Sequence, residues 1–293
     1  MRSTNNHVRY QGKTVLVTGA SSGIGAAFAR ELASRGMHLI LVARSVDRLN
    51  TLAAELGERH CTQVTVLPAD LSAEHAAANV YAEVARRGLH VDMLINNAGF
   101  ANHGNFEAIS TVRDHQQIMV NVAALVELTH LFVPAMLDAG GGAVINIAST
   151  VAFQPVPFMA VYGASKAFVT SFSAALAQEY RSRGLRVLAL CPGATATGFF
   201  DVVGTDAIAL GRKRSPEQVV SSGLRALERG RSVVIDGPVN TLVAVVAKRL
   251  PFGLAARLAA RITLVDAVEL AAPKGGHRGI AKFGSRAPVI WRC

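Results

Sequence analysis

The chain has 293 residues, a net charge of +10 and cysteines only at Cys61, Cys191 and Cys293. This length suits one α/β domain with a short extension, and a core of that size needs no disulfide or metal staple. An odd number of cysteines, and histidines without ligand spacing, exclude a disulfide framework and a zinc site and predict reduced thiols in a cytoplasmic protein.

The polar opening Met1 to Gln11 has no apolar run, so no secretory leader is expected. Thr14 to Val17 is a short apolar run with β character, and Gly23 to Arg35 has helical spacing and many alanines. Strand then alternates with helix: His38 to Ala43, Ser45 to Leu56, Gln63 to Leu67, Ser72 to Arg87 and Met93 to Asn96. A helical stretch from Asn121 to Leu137 precedes the strand Ala143 to Ala148. A helix over Val161 to Arg183, a strand over Arg186 to Cys191, a helix over Ser215 to Glu228 and a short strand over Ser232 to Ile235 complete the series. Ser215, Pro216 and Gln218 together spell a capped helix start. This alternation implies parallel strands joined by right-handed crossovers. The strands are apolar on both sides, as in a sheet covered on both faces. The expected fold is therefore α/β: a doubly wound, mostly parallel seven-stranded sheet with helices on both faces.

Val239 to Val265 is apolar but broken by Lys248, Arg249, Pro251, Arg257 and Arg261. Amphipathic helices packed on the domain or against a second subunit are expected there, with a membrane-surface helix as the sharper alternative. No apolar run of about 18 residues is uninterrupted, so no spanning helix is expected. Five of the ten excess positive charges fall in residues 273–293, which hold no acid. Gly-rich, basic and aperiodic, this tail is expected to be disordered. Its only aromatics are Phe283 and Trp291, too few to support nucleic-acid binding. The boundaries expected are an N-terminal arm over 1–10, a catalytic domain over 11–240, amphipathic helices over 241–272 and the basic tail over 273–293.

The first strand runs into Thr18-Gly-Ala-Ser-Ser-Gly-Ile-Gly25. Gly19 permits a tight turn, Gly23 lets backbone approach a pyrophosphate and Gly25 lets the helix lie close to the sheet. The helix N-terminus offers free N–H groups to the phosphates, with Ile24 in the same turn and Ser21 and Ser22 as hydroxyl donors. At the end of the second strand, where a site for NAD usually carries an acid, this chain has Arg44 followed by Ser45, with Arg48 nearby. A guanidinium grips a 2′-phosphate and a carboxylate repels it, so NADP(H) is favoured over NAD(H). Asp70, followed by Leu71, reads either as an acceptor for an adenine amino group or as a helix cap.

Tyr162-Gly-Ala-Ser-Lys166 lies on an expected helix, where residues four apart share a face. An ammonium at Lys166 would lower the pKa of the Tyr162 phenol and fit it for proton exchange with a carbonyl or alcohol oxygen. Ser149 at a strand end, Asn121 upstream, the run Asn96-Asn97-Ala98-Gly99 and the run Pro192-Gly193-Ala-Thr-Ala-Thr197 accompany the pair.

The order and spacing of these five motifs, from residue 14 to about 200, resemble the single-domain short-chain dehydrogenase/reductase family. The resemblance implies a Rossmann sheet and an oxidoreductase. Asn121, Ser149, Tyr162 and Lys166 would be the catalytic set, Asn121 holding a water of the proton relay. Lys166 would also bond the nicotinamide ribose, and Asp70 and Leu71 would meet the adenine. Asn97, Ala98 and Gly99 would line the cofactor trough, and Pro192, Gly193, Thr195 and Thr197 would hold the carboxamide. The apolar stretches after Ser149 and Thr197 would border the substrate, with Phe153, Gln154, Met159 and Phe199 beside Ser149 and Tyr162. A lipophilic ketone or aldehyde is the expected small-molecule partner. The resemblance also implies a homodimer or homotetramer; the residues themselves predict no nucleic-acid partner and no spanning segment, and leave peripheral membrane contact open. Two other readings are an NADP(H)-binding sensor without turnover and a 3-oxoacyl reductase acting on carrier-bound chains, for which the basic surface would suit an acidic carrier.

Overall fold

The computed structural model describes residues 8–199 and 213–263. The expected tail over 273–293 and the loop after Gly198-Phe-Phe200 lie wholly or largely outside the described residues.

Seven parallel strands form one sheet in the order β3-β2-β1-β4-β5-β6-β7. They are β1 (Thr14–Thr18), β2 (His38–Ala43), β3 (Val64–Pro68), β4 (Met93–Asn96), β5 (Gly142–Ile147), β6 (Leu185–Cys191) and β7 (Val233–Ile235). Strand order reverses between β1 and β4, which opens a crevice at their carboxyl ends. The helices are α1 (Gly23–Ser34), α2 (Val46–His60), α3 (Ala76–Arg86), α4 (Thr111–Ile118), α5 (Ala124–Asp138), α6 (Ala160–Glu179), α7 (Pro216–Glu228), α8 (Pro238–Arg249) and α9 (Phe252–Thr263).

The period-two alternation of the strands sorts the core into two layers. Val15, Val17, Leu39, Leu41, Ile145 and Leu190 face α1, α2 and α7. Leu16, Ile40, Val42, Leu94 and Val144 face α3 and α5. Alternate residues thus meet opposite helix layers, and both faces are dry, which is why the strands read as unbroken apolar runs. Gly223 on α7 lets Leu190 and the ring of Phe28 approach; a Cβ there would meet Leu190 Cδ2 at 2.8 Å.

Two expected elements are resolved further. The helix after Asp70 starts at Ala76, because Asp70 Oδ1 accepts from the Ser72 amide and hydroxyl and turns the chain first. The Asn121 helix is one continuous helical run from Thr111 to Asp138, interrupted by a π turn over Met119–Ala123. That run is long and apolar enough, by length and composition, to cross a membrane. Counting uninterrupted apolar residues passes over it. In the fold it is a core helix whose Leu128, Phe132, Val133 and Met136 pack on the sheet. The start of α7 is as the sequence spells it: Ser215 Oγ accepts from the Gln218 amide while Gln218 Oε1 accepts from the Ser215 amide. Pro251 separates α8 from α9.

Phe28 is fully buried between α1, the sheet and α7. Phe28→Ala is expected to lower the free energy of unfolding by about 3–5 kcal/mol. A denaturant titration reads this as a lower midpoint; a loss under about 1 kcal/mol would contradict the packing described.

Candidate active site

The carboxyl ends of β1 through β6 open into one cleft of about 1270 Å³. Its floor is the glycine turn after β1. Gly19 and Gly23 both take left-handed φ values, +63° and +55°, which a side chain would strain. A Cβ on Gly19 would also press on Asn97 Nδ2 at 2.8 Å. Asn97 locks the turn from the β4 side, its Nδ2 donating to the carbonyls of Thr18 and Gly19 at 2.9 and 3.1 Å. Ser22 sits at the N-cap of α1 but its hydroxyl does not cap the helix, so the hydroxyl and the first-turn N–H groups face the cleft floor unused by the fold. Gly19, Ser21, Ser22, Gly23 and Ile24 all line the cleft.

Gly25, expected among the cofactor contacts, does not line it. It is buried beneath the turn, and a Cβ there would overlap the Gly19 carbonyl. It shapes the cradle without forming its surface.

At the β2 and β3 side the wall carries Arg44 and Arg48, with Ser45 between them, and Asp70 and Leu71 opposite. Asp70 both turns the chain and faces the cleft, so the two readings of this residue are compatible. Hydrogen bonds from Ser72, with Arg44 adding its charge, hold the Asp70 carboxyl below the ordinary carboxylate range. Ala98 and Gly99 continue the wall past β4. Across from them, Pro192, Gly193, Thr195 and Thr197 close the cleft after β6.

The catalytic candidates converge at the far end. Ser149, Tyr162 and Lys166 all reach the cleft. Ser149 follows β5, and its Oγ accepts from the Val151 amide at 3.3 Å. Tyr162 and Lys166 stand one turn apart on α6, the Lys166 Nζ 5.8 Å from the phenol ring centre and donating to the Ile147 carbonyl at 2.8 Å. Both groups are buried. Burial pushes the phenol up to about 12, and a hydrogen bond with Ser149 pulls it partly back. Burial likewise pushes the Lys166 amine down to about 8. This corrects the expectation that the ammonium would lower the phenol. Here desolvation dominates, and each group is shifted toward its neutral form. Tyr162 therefore keeps its proton at neutral pH, the form a proton donor needs.

Asn121 does not line the cleft either. It is buried in the π turn, where its Oδ1 accepts from the Phe100 amide at 3.1 Å and its Nδ2 donates to the Phe100 carbonyl and Ser165 Oγ. Through these three bonds Asn121 braces Phe100 and the turn before Lys166. A Cβ on Gly99 would stand 3.0 Å from Asn121 Oδ1 and 3.4 Å from Lys166 Nζ. Such π turns recur at functional sites.

On the substrate side, Gln154, Met159 and Phe199 line the cleft beside Tyr162 and Ser149, and Tyr162 and Phe199 are in ring contact. Met159 and Val156 pack with Tyr162 and Phe199 in one small apolar cluster. Phe153 does not join them. It turns into the layer formed by Leu125, Val169 and Ala189, and Lys248 Nζ lies 4.2 Å over its ring. The three-ten turn Thr150–Phe153 rotates it away.

Several wall residues were not singled out in the sequence. Phe100, Arg113 and Gln116 face the substrate end from the β4 side, and Val239, Asn240 and Val243 face it from α8. Most informative is a residue outside the lining, Arg214. It bridges to Thr195, exchanges backbone hydrogen bonds with Ala194 and Ala196, and places its Nε 2.6 Å from Asp236 Oδ2. Asp236 is fully buried. This ion pair pins the loop that closes the cleft. No spacing rule links residues so far apart, so only the fold exposes it. Arg214→Leu would leave a buried carboxylate unpaired, a loss of about 3–5 kcal/mol. Thermal or denaturant unfolding reads it, and a near-neutral effect would show that the pair does not hold the loop.

The chain matches known proteins. Residues 13–207 match the family described as short chain dehydrogenase. The very-long-chain 3-oxoacyl-CoA reductase of Bos taurus is 33% identical over 254 residues, covering 85% of this chain and 78% of that protein. A short-chain dehydrogenase from Sphingobium yanoikuyae, solved in complex with NADPH, is 33% identical with a TM-score of 0.73, covering 94% of this chain and 100% of that one. The bulky-bulky ketone specific alcohol dehydrogenase of Comamonas testosteroni is 29% identical with a TM-score of 0.68, covering 91% and 97%.

Proposed function

The chain belongs to the short-chain dehydrogenase family, and on that footing we propose that it is an NADPH-dependent reductase of a lipophilic ketone or aldehyde. One observation carries this reading: Ser149, Tyr162 and Lys166 meet at one end of the cleft whose floor is the glycine turn and α1 N-terminus. The floor fits a dinucleotide, because its two positive-φ glycines leave a cradle that side chains would fill and the Ser22 hydroxyl is free of capping duty.

Bound there, a reduced nicotinamide supplies hydride to the carbonyl carbon. Tyr162 gives its proton to the carbonyl oxygen, and Ser149 donates a hydrogen bond to the same oxygen and orients it. Lys166, held by the Ile147 carbonyl, stands behind the phenol and restores its proton. Asn121 positions the turn that carries this relay. Met159, Val156 and Phe199 exclude water around the reacting atoms. Arg44 and Arg48 at the opposite end favour a 2′-phosphate, and hence NADP(H) over NAD(H). The apolar cluster around Tyr162 supports a lipophilic substrate, and the ketone-specific neighbour agrees with it.

A second reading, reduction of a 3-oxoacyl thioester, is favoured by the bovine relative's name. Side-by-side rates with simple aryl ketones and with 3-oxoacyl thioesters separate the two. The reading includes a homodimer or homotetramer joined through the helices that carry Asn121 and Tyr162, where Ile118 and Phe168 are exposed.

Tyr162→Phe is expected to lower kcat by about 10²–10⁴-fold while NADPH affinity, read by fluorescence titration, stays near the wild-type value. Turnover retained in that variant would remove Tyr162 from its role. Arg44→Ala is expected to raise the KM for NADPH about ten- to hundredfold and to leave that for NADH little changed. Equal effects on both cofactors would show that Arg44 does not read the 2′-phosphate.

A further inference from the structure

Helices α8 and α9 are amphipathic in an inverted sense. Against the domain they place Ala244, Ala247, Ala255, Ala259 and Thr263. Away from it they turn large apolar side chains. Leu242 is 65% exposed and Phe252 81%, and Val246, Leu254 and Leu258 are exposed with them. A helix that served only to cover the domain would bury its leucines and expose its alanines. Here small residues let the helices lie close to the domain, and the apolar bulk is reserved for something else.

The same face is cationic. Between Gly237 and Thr263 the chain has Lys248, Arg249, Arg257 and Arg261 and no acid. Lys248 leans onto Phe153. Arg249, Arg257 and Arg261 are exposed and, among the described residues, have no acidic partner. Leu258 lies one turn from Leu254, and Arg257 and Arg261 run alongside in a second row. Exposed leucine rows flanked by arginine match the two layers of an anionic bilayer surface, acyl chains and phosphate headgroups. A protein partner of the same shape would have to supply an apolar groove and acids at once.

We propose that α8 and α9 dock this protein on an anionic membrane surface, with Leu242, Val246, Phe252, Leu254 and Leu258 entering the interface and Arg249, Arg257 and Arg261 bonding phosphates. The inner edge of these helices, Val239, Val243 and Ala259, lines the active-site cleft. Docking therefore sets the mouth of the cleft beside the bilayer, the phase in which a lipophilic carbonyl concentrates. The docking claim stands apart from the catalytic one, because vesicle binding needs no turnover.

The test is cosedimentation of the full chain with phosphatidylcholine vesicles, with and without phosphatidylserine. The expected result is capture by the anionic vesicles alone, weakening with salt. Two variants should each reduce capture about tenfold or more: Leu242→Asp with Leu258→Asp, and Arg257→Glu with Arg261→Glu. Unchanged melting temperature and NADPH affinity in both variants confirm that they fold. Absence of capture by the wild-type chain would overturn the proposal. So would undiminished capture of both variants, which would assign binding to another basic segment. A wild-type oligomer that the leucine variant converts to monomers, without vesicle capture, would give the face to a second copy instead.

Discussion

A lysine ammonium taken out of water needs a reason and a partner. Lys166 is buried at the wall of the cleft, anchored by the Ile147 carbonyl at the end of β5. That bond ties α6 to the sheet at the point where Tyr162, a turn earlier, reaches the cleft beside Ser149. The cost of desolvation is visible in the amine, drawn down to about 8, and in the phenol, driven up to about 12. A neutral phenol with a readily protonated and deprotonated amine behind it is a proton donor with a refill, which is what carbonyl reduction asks of the protein.

The remainder of the architecture serves to bring a dinucleotide to that pair. Parallel strands place all their carboxyl ends on one side, so the glycine turn after β1, the Arg44 corner after β2, the Asn97 run after β4, Ser149 after β5 and the Pro192 loop after β6 converge without any of them being near in sequence. The phosphate end is built from backbone freedom and positive charge, the reactive end from buried side chains. Between them, the Arg214–Asp236 pair fixes the loop that closes the cleft. A fully buried carboxylate is held there only while its guanidinium stays, so the loop is rigid where it carries Thr195.

Much of this was legible in the sequence because its signals are local. The alternation of apolar runs with helical spacing locates every strand to within a residue or so, and the Ser215–Gln218 box marks the start of α7 as written. The four-residue spacing of Tyr162 and Lys166 likewise places them one turn apart on α6. What the sequence did not show depends on packing over distance. Phe153 sits in an apolar stretch beside the site, but a three-ten turn sends it into the α6 layer. Gly25 and Asn121 belong to the motifs, yet they act from beneath the surface. The shift of the phenol came out opposite because charge proximity is readable from spacing and burial is not. Arg214, Asp236 and the α8 wall enter the site only through the fold.

The claim at the centre is that the charge on buried Lys166 sustains proton donation by Tyr162. The pH dependence of kcat/KM for NADPH-driven reduction of a bulky ketone measures it directly, since that ratio reports groups of the free protein. The account predicts a rate that is level at neutral pH and falls as pH rises through about 8, where Lys166 gives up its proton. A rate that climbs through the same range would contradict it.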